Sequence, residues 1–173
     1  MRRMIPVFAA IVGLTMTGAA GAQTPPVKNW AAPAGRIYAQ KLSDETMAAH
    51  PELLSVTFHG LIPGQTDSYT MFAGSFPERI GNPDDPDDID VSKKGITIVD
   101  PRWHRTKDSS PKFVVLMPMR DKAGGNVGLI VYAFKVPVAG SKYERTLYPK
   151  ALDLRDALAK KIPSYEALFA PTK

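Results

Sequence analysis

The sequence has no cysteine. It therefore cannot be a lipoprotein acylated on cysteine, cannot form a disulfide, and cannot attach haem through a C-x-x-C-H motif. Histidine is scarce, 3 in 173 residues. No second histidine stands at ligand spacing from His59, so neither a metal ion nor any other cofactor is expected. A G-x-S-x-G elbow is also missing, which removes the usual serine nucleophile. Beyond residue 22, no uncharged apolar run reaches the ~20 residues that span a bilayer.

What remains is an ordinary globular composition, 44% apolar and 23% charged, unlike that of a disordered chain. Its length suggests one domain. Arg2 and Arg3 open a short basic stretch, Met4 to Met16 is uncharged and mostly apolar, and Ala20-Gly21-Ala22 follows the small-residue cleavage rule. The expectation is a signal peptide over 1–22 and a periplasmic or secreted protein. The chain carries 22 Lys and Arg against 17 Asp and Glu, a net +5, and loss of Arg2 and Arg3 leaves +3. That charge is mild and scattered, so nucleic acid is not an expected partner.

Residues 23–35 hold Pro25, Pro26 and Pro33 and read as a flexible leader. A single domain is expected over 36–169. A helix is predicted over 36–50, stopped by Pro51. Leu54 to His59 alternates, with Leu54, Val56 and Phe58 on one face and Ser55, Thr57 and His59 on the other. A strand over 67–75 returns as a hairpin. Asp85, Pro86, Asp87, Asp88, Lys93, Lys94 and Gly95 mark a short helix by cap, dipole and terminator. Strands follow over 96–102, 112–119 and 128–136, the last two joined by a Gly-containing turn. A helix over 146–162 carries the stripe Leu147, Ala151, Leu154, Leu158, Ile162, and 164–169 forms a last turn that tucks in Leu168 and Phe169.

The fold class is thus α+β: a five-stranded antiparallel sheet, with N- and C-terminal helices on one face and a short helical insert on the other. A pocket is expected between sheet and insert.

Three stretches then point to a family. They are His50-Pro51-Glu52-Leu53-Leu54 leading into Thr57-Phe58-His59-Gly60; Arg79-Ile80-Gly81 with an acidic run ending at Asp90; and Phe113 to Asp121, a turn, and Gly128 to Phe134. In this order the chain resembles a single Cache-type, PAS-like sensor domain of the bacterial periplasm, over about 36–162. The resemblance implies binding of a small organic ligand. Cache domains usually sit between two membrane helices of a receptor. This chain departs from that plan with a cleavable signal and no second membrane helix, and is expected to be free-standing. It would then report to a membrane receptor or another periplasmic protein.

The candidate ligand contacts are His59, Arg79, Tyr69, Met71 and Trp103. His59 offers a hydrogen bond from the polar face of its strand. Arg79 can clamp a carboxylate with two bonds, which makes an organic anion the expected ligand; the competing possibility is a surface arginine paired to Asp84 or Asp85. Tyr69 and Met71 share one face of their strand, opposite Phe72, and either face suits the core or the pocket. Trp103 is placed to fold over the mouth. Binding is expected to order the insert. The acidic set Asp84, Asp85, Asp87, Asp88 and Asp90 lacks the spacing of a helix–loop–helix calcium site. Two alternatives remain open. One is a small enzyme on a nuclear-transport-factor-like cone, with His59 as general base and Asp100 or Asp67 orienting it. The other is a ligand-free interaction module whose pocket is filled by its own aromatic side chains.

Overall fold

A computed structural model describes residues 26–99, 110–138 and 141–173. The segment read as a signal peptide lies outside the described residues, as do Asp100 and Trp103. The elements are β1 (Arg36–Ile37), α1 (Tyr38–Ala49), β2 (Leu53–Leu61), β3 (Tyr69–Gly74), α2 (Pro86–Lys94), β4 (Ile98–Val99), β5 (Lys112–Arg120), β6 (Asn126–Lys135), α3 (Glu144–Ala159) and β7 (Pro171–Thr172). A 3-10 turn over Pro77–Arg79 follows β3, and another over Glu166–Phe169 precedes β7. Among the described residues, no helix is long and apolar enough to cross a membrane.

The main sheet has five strands in the order β3-β2-β6-β5-β4, all antiparallel. Both faces are apolar because strand side chains alternate and both faces are covered. Phe113, Val115, Met117 and Met119 of β5, with Ile130, Tyr132 and Phe134 of β6, pack against α1 and α3. Val114 and Leu116, with Leu129 and Ala133, face Val91 of α2 in a smaller cluster. The expected architecture is therefore present. The stripe on α3 buries Ala151, Leu154 and Leu158, and Ile162 is buried just beyond the helix end.

Two local features depart from the sequence reading. Leu54 was expected beside Val56 and Phe58. A bulge between Leu53 and Ser55 instead gives Leu53 to the core and turns Leu54 to the α2 side. One extra residue in a strand reverses the facing of its neighbours, and periodicity alone does not reveal it. The unforeseen pair β1 and β7 joins the two ends of the fold, with Ile37 opposite Pro171.

Within the segment read as a flexible leader, Asn29 is docked. Its N–H donates to the Gly81 carbonyl, and its side-chain amide bonds Tyr69 and Thr70. Trp30 meets Phe169 edge-on at 6.3 Å. Phe169 in turn lies 4.7 Å from Phe72, as the expected tucking of the C-terminal turn requires.

At Gly128, φ is +131° and an added Cβ would lie 2.5 Å from the His59 carbonyl oxygen. Gly128→Ala should therefore destabilise the protein by about 2–4 kcal/mol, through backbone strain plus overpacking. Gly124→Ala, also at positive φ but with open space around it, should cost only ~1 kcal/mol. Urea melts of both variants check the difference; equal losses would mean that the close approach at Gly128 is not the constraint.

Candidate functional site

The expected pocket lies between the sheet and α2, a cavity of about 180 Å³. Its floor is the α2-facing side of the sheet: Leu54, Val114, Leu116, Val131 and Ala133. Ser55, Thr57 and His59 add a polar strip along β2, and Asp85, Asp87 and Asp88 form the opposite wall at the start of α2. Phe76, Arg79 and Lys112 complete the lining. Alternation from Ser55 onward sets the polar strip of β2 on this face, and the bulge before Ser55 adds Leu54 to the apolar floor that β5 and β6 supply.

α2 is positioned at both ends. Asp85 and Asp88 form its capping box, and Gly95 ends it in the left-handed conformation, donating its N–H to Val91. The side chain of Asn126, at the β5–β6 turn, donates to the Ser92 carbonyl at 2.7 Å. At the other end, the chain before α2 runs along the edge of β3. Met71 N–H donates to Asn82, Asp84 N–H donates to Tyr69, and Thr70 bridges Pro83. The chain's own contacts thus order the insert.

That edge strip delivers Asp84 to His59. Asp84 Oδ1 lies 2.7 Å from His59 Nδ1, and Thr57 Oγ1 lies 2.8 Å from His59 Nε2. The imidazole is 7% exposed and the Asp84 carboxylate 0%. Burial pulls the His59 pKa down, but the charge and hydrogen bond of Asp84, aided by the charge of Asp88, outweigh it and hold the pKa above the ordinary histidine value. The imidazolium form therefore extends towards neutral pH. In that form Nε2–H donates to the Thr57 hydroxyl. Asp88 moves the opposite way from most carboxylates in an ion pair. Burial, with repulsion from Asp84 and Asp87, outweighs the attraction of His59 and pushes its pKa up to about 6.

Of the five candidate contacts, His59 and Arg79 line the cavity. Arg79 is carried on the 3-10 turn after β3, its guanidinium 5.6 Å from the centre of the Phe76 ring. Tyr69 and Met71 are not among the lining residues. Met71 is buried, its backbone bonded to the Gly81–Asn82 strip. The Tyr69 ring instead receives the Lys93 ammonium at 5.0 Å. Trp103 lies outside the described residues. Phe72 takes the core face. Among the described residues the carboxylate beside His59 is Asp84, while Asp67 is exposed; Asp100 lies outside the described residues. Sequence reasoning met Asp84 in an acidic run and as a possible partner of Arg79, not of His59. Nothing in its spacing announces an edge strip that folds back on β3.

The fold and site define an α+β domain with a mixed apolar and charged cavity under a helical insert. No protein-family profile matches the chain, so the Cache-type likeness rests on the quoted residues alone. No curated protein matches it either. Among solved structures it is similar to a double mutant of the inducer-binding domain of the PobR transcription factor from Acinetobacter, in complex with 3-hydroxybenzoic acid. Identity is 12% and the TM-score 0.43, over 72% of this chain and 97% of that one. A likeness this distant carries no functional argument.

A carboxyl whose pKa rises from 3.8 to about 6 on folding binds more protons folded than unfolded between those values. Its contribution is most favourable at low pH and is lost as pH climbs through 6. The contribution of His59 runs the same way at higher pH: present in full below 6.5, lost as pH rises through its elevated folded value. Asp88→Asn should therefore stabilise the protein at pH 7 by about 1–3 kcal/mol, with the gain fading near pH 4. Melts at both pH values in EDTA check this; a variant no more stable than wild type at pH 7 would mean Asp88 is not held in a costly charged state.

Proposed function

We propose that this protein reversibly binds a small organic molecule in the cavity between the sheet and α2. The observation that carries the proposal is the cavity's two-sided lining: an apolar floor on β2, β5 and β6, facing a rim that holds cations and carboxylates together. At about 180 Å³ it is smaller than the ~300–1,000 Å³ of drug-sized sites, which suits a ligand the size of an amino acid. Arg79, with no ion-pair partner among the described residues, would receive a ligand carboxylate, and Thr57, whose hydroxyl accepts from His59 Nε2, would donate a hydrogen bond. Asp85, Asp87 and Asp88 would favour a ligand that also carries an amino or hydroxyl donor over a bare anion. Consistent with a Cache-like role, the protein would work after export to the periplasm, with a membrane receptor or another periplasmic protein reading occupancy.

An enzyme with His59 as general base is the rival, and Asp84 supplies the orienting carboxylate it requires. The geometry tells against it: the imidazole is 7% exposed, with Nδ1 held by Asp84 and Nε2 by Thr57, so neither nitrogen is open to a substrate. A self-filled interaction module is disfavoured because, among the described residues, Phe76 is the one Phe, Tyr or Trp in the lining. The rings of Phe58, Phe72, Tyr165 and Phe169 cluster on the other side of the sheet.

The test is a thermal-shift screen against small carboxylates, including amino and hydroxy acids. A ligand at about a hundred times its Kd should raise the melting temperature by about 5–10 °C, and Arg79→Ala should remove most of that shift. If no compound in a broad metabolite library moves the melting temperature, the protein is not a small-molecule binder.

A further inference from the structure

His59, Asp84 and Asp88 approach one another more closely than one ion pair requires. An imidazole nitrogen and one oxygen from each carboxylate lie within 4.8 Å of one another. Asp84 is fully shielded from solvent, yet only Oδ1 is used; Oδ2 is buried without a hydrogen-bond partner. An anionic oxygen left unsatisfied in the interior is costly and calls for an explanation. The protons of one imidazolium cannot satisfy two carboxylates drawn this close. A small divalent cation can, because it accepts several oxygens and a nitrogen at once.

We propose that His59, Asp84 and Asp88 bind a divalent first-row transition-metal ion of the manganese, iron or zinc class at the polar end of the cavity. One imidazole and two carboxylates suit these ions, since imidazole favours zinc and iron and carboxylates favour manganese. Calcium, which takes six or more oxygens, is a poorer match. The ion takes the His59 Nδ1 lone pair, whose proton leaves to solvent, and binds the Asp84 carboxylate through the unpartnered Oδ2, so the 2.7 Å contact between Nδ1 and Oδ1 opens. Nε2 keeps its hydrogen and donates to Thr57 Oγ1, an outer-shell bond of the kind that fixes the tautomer of a metal-bound histidine. Three protein donors leave positions open for water or for an oxygen of a ligand. The second acidic trio, Asp85, Asp87 and Asp88, has no imidazole and no buried orphan oxygen, and is not the site. The ion site occupies the same cavity as the proposed organic ligand but does not require that ligand.

The experiment titrates the full-length, EDTA-stripped protein with Mn²⁺, following the loss of the free-ion paramagnetic resonance signal, and then competes Mn²⁺ off with Zn²⁺. Saturation at one ion per chain is expected. Outer-shell losses already cost 10–100-fold in affinity, so Asp84→Asn and Asp88→Asn should each weaken binding by about tenfold or more. Circular dichroism without metal shows whether each variant folds. If Asp84→Asn does not fold, Asp88→Asn decides, since its amide oxygen can still cap α2. Failure to saturate at millimolar Mn²⁺, or unchanged affinity in a folded Asp88→Asn, overturns the proposal. No organic compound enters this titration, so it can succeed where the metabolite screen fails, and the reverse.

Discussion

The buried contact between His59 and Asp84 is the constraint on which the rest of the site depends. It joins the middle of the sheet to the strip that leads into α2, and it does so where solvent cannot compete. In so little water, a lone imidazolium or a lone carboxylate would be strongly disfavoured. Each is tolerable because the other is there. The pair therefore fixes where the strip crosses β2, where α2 begins, and how far the acidic wall stands from the apolar floor.

The same crowding explains why neighbouring groups behave unequally. His59 has one carboxylate in hydrogen-bond contact and a second nearby, so its positive charge is favoured despite burial. Asp88 is disfavoured as an anion first by burial, then by two like charges close by, with the same cation at greater remove. Charged groups a few ångströms apart are sorted by distance and desolvation.

Much of the scaffold was legible in the sequence. α2 could be read almost residue by residue because its caps, charges and terminal glycine are local signals. β5 and β6 were legible from apolar runs and the Gly-containing turn between them. β1 and β7 were not, because a two-residue strand has no period to detect. Leu54 was assigned to the wrong face because a bulge is an event between strands. That His59 lines the cavity was legible from residue type and face, and that Arg79 does so from residue type and its place in the insert. Asp84 was not, since its partner lies 25 positions away in sequence and the strip that brings it there has no pattern of its own. Long-range pairing of this kind depends on loop path rather than on periodicity.

The bond from Asn126 to Ser92 has a consequence for how such a cavity works. With α2 fastened at its far end by that amide and at its near end through Asp84, the two walls keep a set spacing. A molecule bound as proposed would meet a slot already shaped, so little chain freedom would be lost and modest contacts would suffice for useful affinity. The corollary is mechanical. A wall clamped at both ends is a poor lever, so in the proposed role a signal of occupancy would start from a less tightly held element, such as the 3-10 turn that carries Arg79.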